Sequence, residues 1–244
     1  MKRPTLRIEQ ALWGDGVHLV AGIDEVGRGP LAGPVAAGAV VFPRAVRAAG
    51  RFRFLKRVND SKKLSADARE ELSAFIWEHA AAAAVAFVPV GTIDRIGIAE
   101  ASRQAMLAAI GDLGVRPEHL LIDAFRIHGC SLPQTPIIRG DATSISIAAA
   151  SIIAKVARDR VMGEYEAEYP GYGFASNKGY YTADHVLSIR ESGPCELHRR
   201  SFSPVKEMLL GEQLDLWPRE PSGVPCLAPR SGMRRSASAR IISH

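Results

Sequence analysis

The stretch Ala21–Pro34, A-G-I-D-E-V-G-R-G-P-L-A-G-P, constrains this chain more than any other. The run His18–Ile23 reads as a strand and delivers two adjacent carboxylates, Asp24 and Glu25, to its C-terminal end. Gly27, Arg28, Gly29 and Pro30 follow at once. Glycines lack a Cβ and so permit positive φ or a close backbone approach. The arginine between them presents a planar, permanently charged fork of donors. Carboxylates ending an apolar strand beside a glycine-flanked arginine suit a metal and a phosphate. For the Asp–Glu pair alone, a turn with solvated charges is the competing reading. On an ideal strand the two acids point to opposite faces, so both reach one metal cluster only if the strand breaks near Glu25.

The rest of the chain alternates strands with helices. A second strand over Val35–Phe42 pairs with the first as a hairpin, and a basic loop follows over Pro43–Asp60. A helix capped by Ser65 leads to a strand over Ala81–Val90. Ile98–Leu113 reads as a helix ended by Gly114, and His119–Ala124 as a strand with Asp123 near its end. A short strand, Pro136–Arg139, runs into Gly140–Asp141. The longest helical pattern spans Thr143–Glu168, where Ile145, Ala149, Ile152 and Val156 form a core-facing stripe. Lys155, Arg158 and Arg160 read as its solvated or phosphate-facing basic end. Short helices follow over Thr182–Glu191 and Ser203–Leu210. The pattern predicts an α/β fold with a mixed central sheet flanked by helices and a small C-terminal helical region. In such folds sites lie at the C-terminal ends of strands. Asp24 and Asp123 end strands and Asp141 follows one, so the three are expected to share a site.

Composition limits the functional classes. The 244 residues are 47% hydrophobic, enough for a sizeable core. The apolar run Ala80–Val90 is too short to cross a bilayer. No secretory signal is apparent, and three cysteines without metal-ligand spacing point to reduced thiols and a cytoplasmic location. The net charge of +5 is concentrated in the tail, where Arg230, Arg234, Arg235 and Arg240 have no acidic neighbour after residue 220. Nucleic-acid affinity in the folded part must therefore come from local patches such as Lys62–Lys63. Residues 217–244 read as a disordered basic tail.

Carboxylates gathered without His or Cys suit hard cations such as Mg²⁺ or Mn²⁺, the usual means of hydrolysing phosphodiesters. With D-S-K-K-L-S at 60–65, L-I-D-A at 121–124, G-D-A-T-S-I-S-I-A-A-A-S-I-I-A-K-V-A-R-D at 140–159, N-K-G-Y-Y-T at 177–182 and H-R-R-S-F at 198–202, the chain resembles ribonuclease HII over roughly residues 17–210. The resemblance implies an RNase H-like fold with a catalytic domain over 1–160 and a C-terminal helical region over 161–216. It implies an endoribonuclease that cuts the RNA strand of RNA–DNA hybrids and nicks 5′ of single ribonucleotides in duplex DNA, leaving 5′-phosphate and 3′-hydroxyl ends. It places catalytic, metal-binding roles on Asp24, Glu25, Asp123 and Asp141, with Mn²⁺ or Mg²⁺ as cofactor. It places substrate contacts on Gly27, Arg28, Gly29, Lys62, Lys63 and Tyr180, with Tyr181 as the rival for the stacking tyrosine. A monomer engaging no membrane is expected. His185 and His198 are read as structural. Two other readings compete: another RNase H-like nuclease such as an integrase or resolvase, against which Gly-Arg-Gly argues, and a non-catalytic binding module, which would not need four acids.

Overall fold

The computed structural model describes residues 3–47 and 50–211. Five strands form one mixed sheet in the order β3-β2-β1-β4-β5. Strands β1 (Val20–Val26) and β2 (Val35–Val41) make the expected antiparallel hairpin, and β3 (Ala82–Val88) adds antiparallel to β2. On the other side β4 (His119–Asp123) runs parallel to β1, and β5 (Gln134–Ile137) parallel to β4. A parallel neighbour needs a long crossover, and helices supply it here.

In chain order the helices are α1 (Arg7–Gly14), α2 (Ala66–His79), α3 (Val90–Ile96), α4 (Ile98–Gly111), α5 (Ile145–Glu168), α6 (Phe174–Asn177), α7 (Ala183–Ser192) and α8 (Val205–Leu210). Ser65, Ser144 and Thr182 cap α2, α5 and α7 by accepting from the N–H of Ala68, Ile147 and His185. Strand alternation splits the core in two. Val20, Val40 and Leu121 face Leu72 and Ile76 of α2 and the Ile147–Ile153 stretch of α5. Ala21, Ile23, Ala39 and Ile122 face Ala101, Ala105 and Met106 of α4. α5 lies close against the sheet because Gly22 and Gly38 present no side chain to it.

Two expectations change. β1 does not break at Glu25: Glu25 pairs with Ala37 and Val26 with Ala36, and the chain turns only at Gly27, where φ is +90°. The basic stretch before Asp60 is not an open loop; it winds through short 3-10 turns that bury Phe52, Phe54 and Leu55. The helix α3 carries no sequence expectation. α5 runs unbroken across residue 160. The tail expected over 217–244 lies outside the described residues. Among those described, no helix is long and apolar enough to cross a membrane.

Candidate active site

The last pair between β1 and β4 is Ile23–Ile122. Asp24 and Asp123 therefore come one residue beyond it on neighbouring parallel strands, both on the α5 face of the sheet. Asp24 is only 5% exposed and its Oδ1 accepts from the Glu25 N–H at 2.8 Å. Asp123 Oδ1 accepts from the Gly140 N–H at 2.6 Å, which ties β4 to the turn Gly140–Ala142 that carries Asp141. The residues bordering this tie, Ala124 (φ 61°) and Arg139 (φ 56°), are both left-handed without being glycine. Such backbone is strained and concentrates at functional sites. Glu25 lies on the opposite face, where its Oε1 accepts from Arg28 Nη1 at 3.0 Å. The two adjacent acids do point apart, yet both reach the cleft because it opens at the end of the strand.

That cleft is lined by Asp24, Glu25, Asp123 and Asp141 together with Gly27, Arg28, Gly29, Lys62 and Tyr180. Lys63 sits in the adjoining hollow with its Nζ 3.3 Å from Asp60. Ser61 and Ser151, which sequence reasoning missed as site residues, also line the cleft, as does Lys155, read from the sequence as solvated or phosphate-facing. The Ser61 and Ser151 hydroxyls lie 3.0 Å apart. Tyr180 lies over Lys155 and Arg158, whose charged heads are 5.4 and 5.7 Å from its ring centre. Tyr181 is 51% exposed and takes no part in the lining.

Burial, then the charges of Glu25 and Asp123, hold the Asp24 carboxyl well above its ordinary range, against a lowering hydrogen bond from Ser151. Burial also raises Glu25, opposed by Arg28, and raises Asp141, helped by Asp60 and Asp123. Acids in such a group ionise together only when a cation offsets their repulsion. As the side chains stand, no three His, Cys, Asp or Glu groups among the described residues close round one point. Each of Asp24, Glu25 and Asp123 instead gives one oxygen to a protein donor. Glu25 Oε2 is buried without any partner. An all-oxygen donor set with an orphaned buried carboxylate oxygen fits a hard divalent cation.

The family model described as Ribonuclease HII matches residues 21–205. The chain belongs to the ribonuclease HII family. The ribonuclease HII of Enterococcus faecalis is 50% identical over 203 residues, covering 83% of this chain and 76% of that protein. The structure of a PCNA:RNase HII complex from Archaeoglobus fulgidus aligns with a TM-score of 0.62 at 26% identity, covering 76% of this chain and 95% of that one. A Bst RNase HIII solved in complex with Mn²⁺ shares the fold, with a TM-score of 0.58 at 20% identity over 80% of this chain and 70% of that one. Members of the ribonuclease HII family are divalent-metal-dependent hydrolytic endoribonucleases acting on RNA–DNA hybrids, and the chain is an enzyme of this class.

One sequence reading of this family member is overturned. Arg158 is not part of a solvated basic end; it has no exposed surface, and neither does Arg199. Both guanidiniums donate to backbone carbonyls of the loops round the cleft. His185 and His198 are buried and form a neutral relay. The Tyr180 carbonyl can only accept, so His185 Nδ1 donates to it at 2.8 Å. The Cys195 N–H can only donate, so His198 Nδ1 accepts at 2.9 Å and His198 Nε2 donates to His185 Nε2 at 3.2 Å. Burial, then the neighbouring His185, lowers His198 to about 4, and burial lowers His185 as well.

Proposed function

We propose that this enzyme nicks duplex DNA 5′ of single embedded ribonucleotides, besides cutting the RNA strand of hybrids. The observation that carries this reading is that four carboxylates share one cleft with the Gly27–Gly29 turn and the face of Tyr180. Asp24, Glu25, Asp123 and Asp141 are the residues to hold Mn²⁺ or Mg²⁺, which when bound supplies Lewis acidity for phosphodiester hydrolysis. Water adds to phosphorus and the bond to the 3′ oxygen breaks, leaving a 3′-hydroxyl and a 5′-phosphate. Lys62 draws the phosphate into the cleft, and Lys63 receives a neighbouring one. The 2′-hydroxyl is the group that separates RNA from DNA. Backbone groups of Gly27, Arg28 and Gly29 bond it in this reading, which the open space beside Gly29 supports. Tyr180 stacks on the adjoining deoxyribose, and the C-terminal region over residues 161–216 completes the substrate site. The test is cleavage of a duplex holding one ribonucleotide by the wild type and by Asp123→Asn. A folded variant with near-normal turnover would remove Asp123 from the chemistry, and no cut at the ribonucleotide by the wild type would refute the nicking activity.

A further inference from the structure

Arg158 and Arg199 are fully buried, and among the described residues no carboxylate forms an ion pair with either. Asp159 and Asp94 act on them only from beyond ion-pair distance, and a buried charge held chiefly by carbonyls is expensive. Arg199 Nη2 donates to Gly27 O at 2.6 Å, Nη1 to Arg28 O at 2.8 Å and Nε to Gly33 O at 3.0 Å. A trans peptide points its N–H away from its carbonyl. With the Gly27 and Arg28 carbonyls turned to Arg199, the N–H groups of Arg28 and Gly29 point away from it, and both residues line the cleft. No described protein group accepts from them.

Arg158 joins the later part of the β1–β2 connection, Ala32 and Pro34, to the loop that carries Tyr180. Its Nε donates to Pro34 O at 2.9 Å, Nη2 to Ala32 O at 3.1 Å and Nη1 to Lys178 O at 2.9 Å. The Leu31 N–H donates to Gly179 O at 2.7 Å, and the Arg199 N–H to Leu31 O at 2.7 Å. Gly27 must be glycine for the same reason, because a Cβ there would run into the Arg158 side chain.

We propose that Arg158 and Arg199 are positioning residues that set the distance between the Gly27–Gly29 turn and Tyr180, so that the two read a ribose–deoxyribose junction as one gauge. Burial and the nearby Arg158 charge lower Arg199 to about 9, still leaving it protonated at neutral pH. A lysine would keep the charge but lose the planar fork that reaches three carbonyls.

This inference rests on the proposed junction reading, and the experiment separates the two. The full chain, with saturating Mn²⁺, is assayed on a duplex with one embedded ribonucleotide and on a continuous RNA–DNA hybrid. The ratio of the two kcat/KM values cancels any loss of folded protein. Arg199→Lys should lower the ratio about tenfold, the effect of losing one charge-assisted hydrogen bond. Tyr180→Ala should lower it too, and the double variant should go no lower than Tyr180→Ala alone. If Tyr180→Ala lowers the ratio but Arg199→Lys leaves it unchanged, or slows both substrates equally, the gauge is refuted while the junction reading stands. If Tyr180→Ala leaves the ratio unchanged, the junction reading falls and the gauge with it. Should Arg199→Lys not fold, Gly179→Ala serves, because its Cβ would lie 2.4 Å from Ala32 O and push the two loops apart. It should lower the ratio in the same way, and a wild-type ratio would refute the gauge.

Discussion

Replacing Gly38 by alanine should move the active site without adding any group to it. Gly38 pairs with Asp24 across the hairpin and faces α5. A Cβ there would lie 2.3 Å from Ala150 O, 3.0 Å from Ala150 C and 3.2 Å from Ala150 Cα. All three are backbone atoms and cannot rotate aside, so the helix must retreat by roughly 1 Å to restore van der Waals contact. Overpacking of this kind costs about 1–3 kcal/mol, which in a protein of this size lowers Tm by about 2–12 °C. The next residue on α5 is Ser151, whose hydroxyl bonds Ser61 and whose hydrogen bond holds down the Asp24 carboxyl. A displacement near 1 Å can cost about a hundredfold in rate. Calorimetry and single-turnover cleavage on one preparation should therefore show a modest Tm loss with a large fall in kcat. Wild-type Tm and kcat together would refute the argument that glycine is needed there for close approach.

At Gly29, where a Cβ meets nothing and φ is not positive, Gly29→Val should change Tm by less than about 2 °C. It should still lose cleavage of every ribonucleotide substrate; retained cleavage would mean that substrate does not approach this backbone. Asp24 is held above its ordinary pKa, so in chelator the protein should lose stability as pH rises through that raised value. Asp24→Asn should then raise the Tm of the chelated protein by a few degrees, while added Mn²⁺ should raise only the wild type; denaturation scans with and without cation decide this. His198 has its pKa depressed to about 4 from 6.5. The unfolded chain takes up that proton first as pH falls, so stability is lost between pH 6.5 and 4. Over that window the Tm of the wild type should fall further than that of His198→Gln, and parallel curves would remove His198 as the cause.

The sheet was legible where local chemistry decides. The apolar run ending at Asp24 with a short loop to Val35 means a hairpin, and Ser65 and Thr182 mark helix starts because a hydroxyl can satisfy an end N–H. Asp24 and Asp123 could be placed together from their positions at strand ends. The parallel register of β1 and β4 that sets them side by side comes only from tertiary packing. α3 was missed because its seven residues are too few to show a period, and Gly91 reads as a breaker. Arg158 was misread for a different reason. Its partners are the carbonyls of Ala32, Pro34 and Lys178, and a carbonyl is identical in every residue, so nothing in the sequence announces it. Ser151 was hidden by position, since a long helix offers no sign of which turn meets a cleft.

The single long helix α5 also limits how this gene can change in length. Ser151 faces the carboxylates and Arg158, seven residues later, holds the loops round Tyr180. Seven residues are close to two full turns, so the two side chains project from the same side. Inserting or deleting one residue between them would swing Arg158 by about 100° round the axis, away from every carbonyl it serves, while Ser151 stayed in place. Insertions in the loop between β4 and β5 face no such restriction of phase. Length variation among descendants of this gene should therefore be absent from residues 151–158 and accumulate where the backbone is not a rigid ruler.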